Sequence, residues 1–279
     1  MNAQNQPTGH TRTIAFIGGG NMASALIGGL LRSGTAAASL LVVEPLPEQR
    51  CALQDRFGVC AQAAADDALA RASVVVWAVK PQLFRQAAAP CATFVGGALQ
   101  LSVMAGIRCA ALEAASGSAR IVRAMPNTPA LIGQGMAGLY ARPSVAPDER
   151  DLVERLFAPT GRSVWVQQEA DLDAVTALSG SGPAYGFYLI EAMVEAAQRM
   201  GLDEAQGREM AIQTVLGAAM LAQQSALSPA ELRVQVTSKG GTTHAALTSM
   251  QADGVQEAIV RALLAAQARA RELGDAFGA

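Results

Sequence analysis

Lysine is nearly missing from this chain of 279 residues: two lysines and nineteen arginines make up its 21 basic side chains. Histidine is equally scarce, with two, and aromatic residues make up 4%. The two histidines and the four cysteines, at 51, 60, 91 and 109, show no metal-ligand spacing, which excludes the usual zinc sets. The cysteines read instead as buried thiols of a reducing compartment. A net charge of −2 and a pI near 5.8 provide no basic field, and three tyrosines among scattered arginines provide no stacking surface for nucleic acid. Long apolar runs are absent too: VVVWAV at 74–79 is far short of the roughly 20 residues a membrane span needs. The first twelve residues are polar, with no apolar segment of signal-peptide length. Together these absences point to a soluble, cytoplasmic protein with no metal, nucleic acid or membrane among its partners.

What remains is a globular chain, 51% hydrophobic and 16% charged, long enough for two cores. Its rhythm changes once. From residue 12 to about 168, nearly continuous apolar runs (13–18, 40–44, 73–79, 99–105, 120–125) alternate with helical stretches at 21–33, 46–57, 81–92 and 108–116. Apolar strands interleaved with helices predict a doubly wound parallel sheet covered on both faces. Segments 135–141 and 163–168 extend the sheet, with an amphipathic helix at 147–158 between them. From 169 to 279 the β rhythm stops and every segment reads as helix, with Ser181-Gly182-Pro183 and Ser228-Pro229 as capped starts. Residues 1–11 read as a polar tail. The stretch 210–227 is apolar on most sides, which a bundle this small cannot cover alone; a second copy is expected to cover it, the alternative being the first domain.

Two glycine clusters carry the chemistry. In FIGGGNMASAL, Gly18, Gly19 and Gly20 lie directly between the first strand and a helix, with Ala23 at the third position of a G-x-G-x-x-G/A pattern. That placement lets backbone approach a pyrophosphate resting on the helix N-terminus, and predicts dinucleotide binding. Glu44 ends the second strand, where an acidic residue accepts ribose hydroxyls; its charge would repel a 2′-phosphate and favour NADH over NADPH, with Arg50 in reach of the same place. Lys80 in WAVKPQ, and Asn127 with Thr128 in AMPNTPA, end further strands and face the same crevice. The second cluster, SKGGTTHAAL at 238–247, interrupts an apolar helical run.

GGGNMASAL, AVKPQ, AMPNTPA, LSGSGPAY (178–185) and SKGGTT, in this order and spacing, closely resemble the pyrroline-5-carboxylate reductase family from about residue 12 to the end of the chain. The resemblance implies a Rossmann-type doubly wound α/β domain (12–168) followed by an all-helical C-terminal dimerisation and substrate domain (169–279). It implies NADPH or NADH as cofactor, 1-pyrroline-5-carboxylate as substrate and self-association through the helices. Residue by residue, it implies that Gly18, Gly19, Gly20, Asn21, Met22 and Ala23 hold the pyrophosphate. Ala78, Val79, Lys80, Pro81 and the Asn127 loop would line the nicotinamide side. Ser238, Gly240, Gly241, Thr242 and Thr243 would bind the substrate carboxylate and ring nitrogen, and LSGSGPAY would help shape the pocket. Two positions depart from the pattern: Ala65 stands where relatives carry an asparagine, and Lys239 where they often carry proline.

Reducing a cyclic imine needs orientation more than a strong acid, because the imine nitrogen can take its proton from solvent. Thr243 is the residue expected to orient the ring nitrogen; His244 reads as an ordinary helix residue. Two other readings fit parts of the pattern. A β-hydroxyacid dehydrogenase wants a lysine acid on a helix of the second domain, where this chain has only Lys239, in a glycine-rich turn. A non-catalytic nucleotide-binding module would have no use for the second polar cluster.

Overall fold

The computed structural model describes residues 12–277; the polar stretch 1–11 lies outside them. The described residues divide into two compact units, one of residues 12–180 with 266–277 and one of residues 181–265.

The first unit is built on an eight-stranded sheet: β1 (Thr13–Ile17), β2 (Leu40–Val43), β3 (Ala61–Gln62), β4 (Ala72–Trp77), β5 (Leu99–Ser102), β6 (Ile121–Met125), β7 (Gly135–Ala141) and β8 (Gly161–Trp165). Strand order is β3-β2-β1-β4-β5-β6-β7-β8. The first six run parallel in the dinucleotide-binding order 3-2-1-4-5-6; β7 turns antiparallel to β6, and β8 pairs parallel with β7. Helices α1 (Asn21–Arg32), α2 (Pro47–Phe57), α3 (Phe84–Ala88), α4 (Ala92–Val95), α5 (Cys109–Ser116), α6 (Pro147–Phe157) and α7 (Asp171–Val175) complete the unit. Side-chain alternation divides the core between the two faces of the sheet. Ile14 and Phe16 join Leu26, Ile27 and Leu101 on one side, while Ala15 and Ile17 join Val75, Trp77 and Leu112 on the other. The buried amide of Gln100 accepts from the Trp77 indole N–H at 2.9 Å and donates to the carbonyls of Val95 and Ala98 at 2.8 and 3.0 Å, so this polar pair costs little.

The second unit is all helix: α8 (Gly182–Arg199), α9 (Glu204–Gln224), α10 (Pro229–Gln235), α11 (Thr242–Ala252) and the start of α12 (Val255–Phe277), whose last turns belong to the first unit. Within one chain it buries little. Of the 21 residues of α9 only Gly207 and Ala211 are buried, and Met210, Leu216, Met220 and Leu221 stand exposed.

Strand β3 was not expected, because two residues are too short for any periodic signal. Three expectations needed correction. The helix expected over 81–92 starts at Pro81 but is a succession of short 3₁₀ and α segments through 95, interrupted near Pro90, which has no N–H for the ladder. Ser181 makes no capping hydrogen bond, because a π-turn over Thr176–Gly180 runs straight into α8 with Ser181 itself in helical conformation; Ser228 caps as expected, together with Glu231. Finally, only Cys91 and Cys109 are buried; Cys51 and Cys60 are exposed. Burial pushes the Cys91 thiol up to about 11 and, with a contribution from Glu169, that of Cys109 to about 12.

The β7–β8 pairing begins where two glycines, Gly135 and Gly161, face each other. Gly161 has φ +137°, and a Cβ there would lie 2.1 Å from the Gly135 carbonyl oxygen. Gly161→Ala is expected to cost about 3 kcal/mol or more, read as a lowered urea midpoint of unfolding; an unchanged midpoint would refute the tight approach.

Candidate active site

In an open α/β sheet the ligand crevice lies outside the carboxyl ends of the strands, where the strand order reverses. Here that place is between β1 and β4. The chain ends of β1, β2 and β4 are tied together there: Gly18 N–H donates to the Val43 carbonyl at 2.9 Å, and Ala78 N–H to the Ile17 carbonyl at 2.8 Å. Gly18 has φ +98°, and a Cβ on it would stand 2.7 Å from the Ala78 oxygen and 2.9 Å from Val79 Cγ1. Only glycine fits. Gly19 is packed as closely, its would-be Cβ 2.7 Å from Leu53 Cδ1. Gly20 is exposed, with nothing within 4 Å of the same position, and forms the open lip.

Beyond that lip α1 begins with no side-chain cap and no acidic residue in its first turn. The leading N–H groups of a helix, here at Asn21, Met22 and Ala23, have no intrahelical acceptor and carry the positive end of the helix dipole. A narrow glycine cradle opening onto an uncapped helix N-terminus suits a pyrophosphate. Asn21 is exposed, Met22 half-buried and Ala23 buried. Ala78 and Val79 are half-buried on the β4 side, Lys80 is exposed, and Pro81 starts a 3₁₀ turn.

Two sequence-designated residues at this edge are engaged within the protein. Glu44 is buried, and its carboxylate accepts backbone N–H groups from Gly19 at 2.8 Å and Leu46 at 2.9 Å. Asn127, at the end of β6, is buried as well. Its amide nitrogen donates to the carbonyl of Ser179 at 3.1 Å and its hydroxyl at 3.3 Å, and its amide oxygen accepts from Met136 N–H at 2.9 Å. The amide expected to face the crevice therefore pins the π-turn Thr176–Gly180, while the neighbouring Thr128 is exposed. π-Turns are rare and concentrate at functional sites. Gly180 belongs to the same contact, since a Cβ on it would lie 2.6 Å from Met125 Cε. One participant had no signal in the sequence: Gln49, whose Nε2 donates to the Gly19 carbonyl at 2.6 Å from within an ordinary polar helix. Ser179 falls within the LSGSGPAY motif, but its place in a π segment left no periodic signature.

The second cluster lies in the other unit. Gly241 N–H donates to the Ser238 carbonyl at 3.0 Å, and Gly240 has φ +78°. This is a type II turn, with Lys239 at the position that proline also favours and glycine where a positive φ is needed. Gly241 keeps the Ser238 hydroxyl in place, because a Cβ there would sit 2.6 Å from Ser238 Oγ and push it aside. The turn delivers the chain into α11, which has no side-chain cap and no acidic residue in its first turn. Ser238, Gly240 and Thr242 are exposed, and Gly241 and Thr243 half-buried. Thr243, in the first turn, has its N–H outside the helical ladder. His244 is exposed, with only its carbonyl engaged, by Thr248 Oγ1 at 2.8 Å. The designated residues thus form two groups, one per unit, each a glycine turn leading into an uncapped helix.

A nucleotide-binding α/β unit joined to a helical unit with a polar glycine turn defines a nicotinamide-dependent oxidoreductase. A family model described as pyrroline-5-carboxylate reductase dimerisation matches residues 169–273, and one described as NADP oxidoreductase, coenzyme F420-dependent, matches residues 13–106. The chain is 45% identical to the pyrroline-5-carboxylate reductase of Pseudomonas aeruginosa over 272 residues, covering 96% of this chain and 99% of that one. Among solved structures, a pyrroline-5-carboxylate reductase from Coxiella burnetii superposes with a TM-score of 0.88 at 36% identity, covering 95% of this chain and 99% of that one. A pyrroline carboxylate reductase from Plasmodium falciparum with NADP bound gives 0.84 at 25% identity, covering 94% and 98%. The chain belongs to the pyrroline-5-carboxylate reductase family.

Asn127→Ala would leave the Ser179 carbonyl and the Met136 N–H without partners. It is expected to lower stability by about 2 kcal/mol and to speed amide exchange across 176–180, measured by hydrogen-exchange mass spectrometry. Unchanged exchange there would show that Asn127 does not hold the π-turn.

Proposed function

We propose that this chain carries out its family's reaction: hydride transfer from NADPH or NADH to the C=N bond of 1-pyrroline-5-carboxylate, giving L-proline in the last step of proline biosynthesis. The observation that carries this reading is the Ser238–Gly241 turn leading into α11, a polar cradle in the helical unit that a nucleotide-binding module alone would not need. It also weighs against a lysine-dependent hydroxyacid dehydrogenase, since Lys239 is the one lysine of the helical unit and sits in that turn.

We assign Gly18 to Ala23 to the pyrophosphate and Ala78 to Pro81 to the nicotinamide side. Asn127 and Glu44 shape the backbone around them. When bound, the reduced nicotinamide supplies the hydride. The chain's own residues bind and orient the imine. N–H groups at the start of α11, with no side chain over Gly240 and Gly241, can receive the substrate carboxylate closely, and the Ser238 and Thr242 hydroxyls add donors. Thr243 is the catalytic residue of this reading, its hydroxyl hydrogen-bonding the ring nitrogen so that the imine carbon faces the donor. No basic or acidic group is required beyond this, since solvent can protonate the nitrogen.

The domain boundary we propose falls at 168/169, although the compact unit built on the sheet also takes in α7 and reaches residue 180. Its support is that the last strand ends at Trp165 and that the matched dimerisation region begins at 169. The bare apolar faces of α9 support self-association through the helical domain, which sets the expected solution state at a dimer or larger. A cytoplasmic location is our reading of the exposed free thiols Cys51 and Cys60, which suit a reducing compartment. Among the described residues no helix is long and apolar enough to cross a membrane.

Mixing the protein, a reduced nicotinamide nucleotide and 1-pyrroline-5-carboxylate should deplete the nicotinamide absorbance; no depletion with either nucleotide would sink the reading. Thr243→Ala should lower turnover of the imine at least about tenfold, the worth of one orienting hydrogen bond. Cofactor affinity should stay within about twofold and Thr243→Ser should restore most of the loss. Wild-type kinetics in the alanine variant would remove Thr243 from the site. Size-exclusion chromatography with light scattering should report a dimer or larger assembly, and a monomer would contradict the association.

A further inference from the structure

Glu44 has the position of a ribose acceptor, but its surroundings give it another task. It is 7% exposed, with Oε2 accepting the Gly19 N–H at 2.8 Å and Oε1 the Leu46 N–H at 2.9 Å. The other end of the same glycine is held too, its carbonyl accepting from Gln49 Nε2 at 2.6 Å and from Ser24 Oγ at 3.4 Å. Arg50 secures the turn from which Glu44 projects, donating to the carbonyls of Glu44 at 3.0 Å and Pro45 at 2.7 Å. The Glu44 stem packs against Gly19 as well: a Cβ on that glycine would lie 3.3 Å from Glu44 Cγ.

We propose that Glu44 is a positioning residue for the glycine loop, serving NADH and NADPH alike, and not the ligand that chooses between them; this rests on the cofactor reading given above. Three consecutive glycines have more conformational freedom to lose than any other tripeptide, and ordering them is a cost of nucleotide binding. A carboxylate gripping the N–H of the middle glycine, with an amide gripping its carbonyl, fixes the peptide units on both sides of it before the nucleotide arrives. Gly18 N–H is already engaged on Val43 and Gly19 N–H on Glu44, so the donors left for a pyrophosphate are those of Gly20 and the first turn of α1. The clamp aims them as one set. Arg50 brings a guanidinium to the carbonyl of Glu44 itself, so this turn is not a uniformly negative wall toward a 2′-phosphate.

Glu44→Asp separates the two roles. Aspartate keeps the charge and serves as well as glutamate for accepting ribose hydroxyls, but it is one methylene too short to reach Gly19 and Leu46 together. Dissociation constants for NADH and NADPH, measured by fluorescence without any imine, should both rise about tenfold, as for one lost charge-assisted hydrogen bond. Their ratio should move by less than about twofold, and the Gly19 amide should exchange faster. Gln49→Leu, which releases only the Gly19 carbonyl, should weaken both nucleotides by about threefold, and it carries the test if the aspartate variant does not fold. Retained NADH affinity in Glu44→Asp, opposite shifts for the two nucleotides, or no change in either variant would each overturn the proposal. A wild-type protein that binds neither nucleotide would overturn the cofactor reading itself. Failure to reduce the imine would not touch the clamp, because the measurement contains none.

Discussion

The close approach of β1 to β4 at Gly18 sets the rest of the nucleotide end. The would-be Cβ of that residue lies 2.7 Å from the Ala78 carbonyl oxygen, so backbone meets backbone there with no side chain between. Because the two strands come that near, the loop after β1 must turn immediately, and the turn uses a positive φ that other residues resist. The same closeness starts α1 at Asn21, with its N-terminus at the mouth of the crevice. Widening the approach by one methyl group would move the loop, the helix start and the β4 exit together.

The doubly wound sheet and the helical half were legible because burial on both faces leaves long apolar strands, and helices leave their own period. The glycine turn at Gly18 to Gly20 was legible because it falls directly between a strand and a helix, where the chain must turn at once. What escaped had no pattern to leave. A two-residue strand such as β3 cannot alternate. The π-turn at Thr176–Gly180 looks like helix in sequence, and only Asn127 and Gly180 show why it widens there. Glu44 was found by position, but hydrogen bonds to Gly19 and Leu46 depend on a register between distant segments that composition does not encode. The exposure of Cys51 and Cys60 was missed for a related reason, since a thiol's burial is decided by which face of a helix or loop it falls on.

In the helical unit legibility runs the other way. Gly240 and Gly241 look redundant in sequence, yet each answers a separate demand: a positive φ at the third position of the turn, and room beside Ser238 Oγ at the next. A threonine or alanine at the first would be strained by the backbone, and at the second would displace the Ser238 hydroxyl. The apolar run of α9 was readable as needing cover, and within one chain that cover is not supplied.

Helix starts tie the two units to one chemistry. Where the fold needs only a stable helix, acidic groups meet the free N–H ends: Glu48 in α2, Asp148 and Glu149 in α6, Asp171 and Asp173 in α7, Asp203 and Glu204 in α9, Glu231 in α10 and Glu257 in α12. Even α5 is supplied, from outside, by Glu169 on the Cys109 N–H at 2.7 Å. Among the longer described helices, α1, α8 and α11 have neither an acidic first turn nor a side-chain cap, and they follow GGGNM, LSGSGPAY and SKGGTT. A carboxylate placed at those ends would gain about 0.3–1 kcal/mol from the helix dipole. It would also compete with any anion the site is meant to receive. Forgoing that stability at the motif-bearing helices makes sense for a protein whose cofactor and substrate both present an anionic group.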